Sequence, residues 1–74
     1  MTARESRDLA LSMATTAEEA SNEADRRASA LMMKGDAREA RMAAKDSARL
    51  LGEAQAYRRM ALLLDAKAIK EASE

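Results

Sequence analysis

Lys34-Gly35-Asp36-Ala37-Arg38-Glu39 is the one strongly punctuated stretch in a chain built almost wholly of good helix formers. Lys34 is a cation suited to the negative end of a helix, and Gly35 fits the left-handed position just past it. Asp36 then reads as the N-cap of a second helix, with Glu39 three residues on as its capping-box partner. The stretch therefore predicts an antiparallel two-helix hairpin. Helix A runs over about 3–34, the turn is 35–36, and helix B runs over about 37–72, all within one helical domain, 1–74. At 1.5 Å per residue each helix is roughly 45–55 Å long.

Two weaker breaks lie outside that turn. Thr15 or Thr16 could cap a new helix with Glu18 or Glu19 at its third position, and Gly52 interrupts helix B. Either would favour a compact three-helix bundle as the alternative fold. The apolar register runs through both, which favours continuous helices.

In helix B, Ala40, Ala43, Ser47, Leu50, Ala54, Tyr57, Ala61, Leu64 and Ala68 alternate by three and four, the spacing of a coiled-coil seam. In helix A, Ala3, Ala10, Ala17, Ala24 and Leu31 recur every seven residues, and Met13 and Ala20 take the accompanying positions. Folding the chain back at 35/36 brings together residues whose numbers sum to 71. The pairs are Ala3 with Ala68, Ala10 with Ala61, Ala17 with Ala54, Ala24 with Ser47 and Leu31 with Ala40. Small meets small along the whole seam, so the helices can approach near the low end of the usual spacing of about 8–10 Å.

The large apolar residues are few: eight Leu, six Met, Ile69 and Tyr57 among 74 residues, against 19 Ala. A chain this short buries little of its surface, and without disulfides or a metal the usual remedy is oligomerisation. Apolar residues also lie outside the seam. Ala44, Leu51, Leu62 and Ile69 form a stripe about 100° from it, and Met42, Met60 and Leu63 lie on the other flank. Met60-Ala61-Leu62-Leu63-Leu64 is apolar all round, which asks for more than one neighbour. Leu51, Met60, Leu62, Leu63, Ile69 and Met42 are thus the candidate oligomer or partner interface. The simplest assembly is a homodimer forming a four-helix bundle. The methionines suit either gap filling beside Ala or an adaptable binding surface.

Charge sums to zero, with 13 basic and 13 acidic residues. Arg38, Arg41, Lys45, Arg49 and Arg59 make a narrow basic stripe opposite the seam, while Glu5, Asp8, Glu19 and Glu23 make helix A more acidic outside. In architecture alone this is similar to Rop-type plasmid regulators, small helical hairpins that dimerise and bind RNA. That resemblance makes the basic stripe the alternative, nucleic-acid-binding surface. Residues 38–59 carry six bases against three acids, and the stripe itself has no aromatic platform, so nucleic acid is not the expected partner. Residues 24–50 also resemble one tetratricopeptide hairpin through Ala28, Leu31, Gly35, Asp36, Ala40 and Ser47, without that motif's aromatics or its repetition.

Catalysis finds no foothold. With no His and no Cys the chain lacks an imidazole base, a thiolate nucleophile and the usual zinc ligands. Two Gly cannot build a phosphate loop. Glu18, Glu19 and Glu23 lack the His that ferritin-like di-iron bundles require. Tyr57 sits on the seam with its hydroxyl expected at the edge. No apolar run approaches a membrane span, and the N-terminus lacks a signal-peptide core, which sets a cytoplasmic expectation. The sequence thus predicts a small non-enzymatic, cofactor-free interaction module: an adaptor, assembly factor or inhibitor, of the phage- or plasmid-accessory type. It acts as a homo-oligomer on a protein partner.

Overall fold

The computed structural model describes residues 1–73, which form two antiparallel helices, α1 (Ala3–Met33) and α2 (Ala37–Ser73). Thr2 is extended and caps α1, its hydroxyl accepting the Glu5 N–H at 3.2 Å. α1 ends one residue earlier than its sequence suggests. Lys34 is the C-cap, and Gly35 follows at φ 83°. The Gly35 N–H donates to the Met32 carbonyl at 3.0 Å, and the Asp36 N–H donates to the Leu31 carbonyl at 2.9 Å. This is the paired Schellman closure, which satisfies the last carbonyls of α1.

Asp36 caps α2 as expected, its carboxylate accepting the Glu39 N–H at 3.2 Å. The reciprocal half of the expected capping box is missing. The Asp36 N–H that Glu39 would have to reach already serves Leu31, so the tight turn replaces it. Neither weaker break interrupts its helix. Thr15 and Thr16 donate their hydroxyls back to the carbonyls of Leu11 and Ser12, both at 3.1 Å, and remain within α1. Gly52 is helical within α2. The three-helix alternative does not form.

The core consists of small residues alone. Its buried members are Ala3, Ala10, Ala14, Ala17, Ser21 and Ala24 on α1, and Ala40, Ala43, Ser47, Ala54 and Ala61 on α2. Leu50, Tyr57, Leu64 and Ala68 continue the α2 seam half-buried, as does Leu31 on α1. All nine seam positions expected on helix B therefore face inward. On helix A one half of the expectation needs correction. Ala14 and Ser21 fill the accompanying positions, whereas Met13 is 41% exposed and Ala20 is only half-buried. The closeness of the helices is the reason: a slot that takes Ala or Ser has no room for a thioether, so Met13 turns to the flank. Ser21 marks the buried polar crossing. Its hydroxyl donates to the Ser47 carbonyl at 3.0 Å, which leaves the Ser47 hydroxyl to donate to Ser21 Oγ, also at 3.0 Å.

The molecule is a rod with Cα extents of 60 × 14 × 13 Å and a radius of gyration of 16.8 Å. A globular chain of this length would have a radius near 11 Å. Two straight helices side by side would measure about 14 by 5 Å across. The near-equal transverse extents therefore show that the two helices are not strictly parallel; a seven-residue apolar repeat favours a left-handed twist of the pair. Accessible surface is 5629 Å², about 1,200 Å² more than the roughly 4,450 Å² typical of a monomer of 8.0 kDa.

Candidate functional site

With a seam of Ala and Ser, the large apolar side chains have nowhere inside to go. Of the sixteen, none is buried, four are half-buried and twelve are exposed. All six expected interface residues, Met42, Leu51, Met60, Leu62, Leu63 and Ile69, are among the exposed. They do not form one patch. Winding around α2 splits them between the two sides of the hairpin.

One side is the Leu62 flank. Leu51, Leu62 and Ile69 are separated by 11 and 7 residues, which aligns them within about 20° on α2. Leu11 joins them from α1: Leu11, Ala61 and Leu62 line one groove with Arg7, Arg58 and Asp65. A neighbouring groove toward the termini shares Arg7 and Asp65 and adds Ile69. Toward the turn, Met32 and Ala44 line a third depression.

Five charges on this flank are matched within the chain. Arg7 Nη1 donates to Asp65 at 2.6 Å across the helices, and Arg7 Nη2 donates to Asp8 at 3.0 Å. The hydrogen bond to Asp65, then that to Asp8, holds the Arg7 guanidinium above its ordinary pKa. Arg58 pairs with Glu18 across the same flank. These pairs carry no local sequence signature, because partners tens of residues apart become neighbours only once the register is fixed. No cluster of metal-ligating side chains occurs among the described residues.

The opposite flank carries Leu9, Met13, Met42, Met60 and Leu63, all exposed. A shallow groove there runs past Met13, Ala20, Leu50, Glu53 and Tyr57. Its charges are mostly unmatched. Among the described residues, its one ion pair joins Arg49 to Asp46 at 4.0 Å.

The basic stripe is real but thin. Arg38, Arg41 and Lys45 surround one open depression beside Met42, while Arg49 leans toward Asp46 and Arg59 stands apart further along α2. No helix of the described residues is long and apolar enough to cross a membrane. Comparison of the chain with protein-family models, curated proteins and solved structures finds no match.

Proposed function

We propose that this chain is a non-enzymatic protein–protein interaction module that works as a homo-oligomeric helical bundle, most simply a dimer. One observation carries the reading: the hairpin spends its small residues on its own seam and leaves twelve large apolar side chains in water. Isolated exposed Leu residues are ordinary, but rows of them along both flanks of a thin rod mark interaction surfaces. Leu62 and Leu63 are 71% and 74% exposed, and each points to a different side.

Two apolar flanks allow two tasks, self-association through one and capture of a protein partner through the other. The Met-rich flank suits the second, because Met13, Met42 and Met60 can repack against varied surfaces. Adaptor, assembly-factor and inhibitor roles all fit such a device. Sedimentation equilibrium of the purified chain tests the reading. The expected mass is at least twice 8.0 kDa at micromolar concentration. A strictly monomeric, fully helical chain at high concentration would overturn it.

A further inference from the structure

We infer that the Leu62 flank, and not the Met-rich flank, is the surface through which two copies of this chain meet. The inference rests on the self-association reading above and assigns it a face.

Three features of the flank converge. The first is apolar continuity: Leu11, Leu62 and Ile69 adjoin grooves that share Arg7 and Asp65, and Leu51 extends the row toward the turn. The second is the state of its charges. Burying a lone charge is costly, whereas a charge already paired brings part of its compensation with it. Both cross-helix ion pairs, Arg7 with Asp65 and Arg58 with Glu18, fall on this flank. The third is area. The rod exposes about 1,200 Å² more than a compact monomer of its mass, and a standard interface removes about 800 Å² from each partner. One flank in contact with a second copy accounts for most of that excess.

The flank is also complementary to itself. Leu11 on α1 and Leu62 on α2 stand at the same level of the rod, lining one groove. A two-fold axis parallel to the rod lays α1 on the neighbouring α2, so that Leu11 meets Leu62 twice. On this flank α1 carries Asp8, Glu18 and Asp25 with Arg4 and Arg7, and α2 carries Arg41 and Arg58 with Asp65 and Glu71. Arg4 on α1 and Asp65 on α2 line one groove and so stand at one level, and the same axis brings them together across the two copies. On the opposite flank no ion pair joins the two helices among the described residues, its one pair, Arg49 with Asp46, lying within α2.

Sedimentation equilibrium of the full chain, its Leu62→Glu variant and its Leu63→Glu variant decides the matter, with far-UV circular dichroism to check helicity. Both positions are exposed in the single hairpin, so neither change strains the fold. Leu62→Glu is expected to weaken the dimer by at least about thirtyfold, the size of an interface hot spot. Leu63→Glu is expected to change it by less than about threefold. A monomeric wild type overturns the self-association reading itself. A dimeric wild type that Leu63→Glu dissociates as readily as Leu62→Glu, or that neither dissociates, overturns the face alone. The chain has no Cys, so single thiols introduced by Leu62→Cys and Leu63→Cys give an independent readout. Alkylation is expected to slow with rising protein concentration at position 62 and to stay constant at 63; the reverse pattern overturns the assignment.

Discussion

Replacing Ala54 by Leu tests the packing on which every other reading depends. Ala54 is 0% exposed, and its expected neighbours across the seam are Ala17 and other small residues. Leu adds three carbon atoms. If the site had room, burying them would stabilise the hairpin by about 2.4 kcal/mol. It has no room, so the helices must part. A gap of 0.5–1 Å already forfeits a quarter to a half of each van der Waals contact it opens, and adjoining layers share the gap. Overpacking of this kind costs about 1–3 kcal/mol. At the middle of that range the melting temperature falls by roughly 8–16 °C for a domain of this size. The assay is thermal unfolding by circular dichroism at one fixed protomer concentration, because self-association makes the midpoint depend on concentration. Ala56→Leu, at an exposed position of the same helix, is the control and should shift stability by no more than about 0.5 kcal/mol. A higher melting temperature for Ala54→Leu would refute the close-packed small-residue seam.

Gly35→Ala should cost about 1 kcal/mol in the same assay: a new Cβ meets no atom within 4 Å, so the cost is the positive φ alone. Gly52→Ala should instead stabilise by about 1 kcal/mol, since that helical position is equally open and has no such φ; a loss of stability there would show an unseen contact. Ser21→Ala should destabilise more than Ser47→Ala, because it removes both hydrogen bonds of the pair whereas Ser47→Ala leaves the Ser21 bond to the Ser47 carbonyl; equal losses in chemical unfolding would contradict the donor assignment. Nucleic acid of either strandedness should bind no tighter than about 10 μM at physiological salt, and submicromolar binding abolished by Arg41→Glu with Lys45→Glu in an anisotropy titration would promote the basic stripe to the principal site.

The turn was legible because Gly35 and Asp36 each carry a local conformational signature that needs no knowledge of the rest of the chain. The α2 seam was legible because its nine positions alternate strictly. The α1 seam was half legible for a physical reason. Both Met13 and Ala14 are apolar and both lie within a turn of Ala10, so periodicity alone cannot separate them. Hydrophobicity favours Met13, but the narrow gap between the helices selects Ala14. The same close approach turns Ser21 from an unremarked polar residue into the partner of Ser47. The exposed residues of α2 were legible as two flanks, because the strict seam there fixes both sides; that Leu11 joins the Leu62 side, and Leu9 and Met13 the other, needs the α1 register as well. The Thr2 cap, with Glu5 three residues on, follows a standard capping spacing that its sequence carries as plainly as the central turn does.

A hairpin joined at a single tight turn closes like a zipper, and its two ends differ kinetically. Leu31 and Ala40 lie about 9 residues apart along the chain, and Ala3 and Ala68 about 65, so closing the far end unaided costs roughly 1.7 kcal/mol more in loop entropy. Pairing should therefore spread from Gly35 outward, and opening should begin at the termini. Leu11, Leu62 and Ile69 sit toward that last-closing end, together with Leu9, Met13, Met60 and Leu63. Amide hydrogen exchange should accordingly be fastest where the chain is most apolar on its surface, and contact with a second copy should slow it most there.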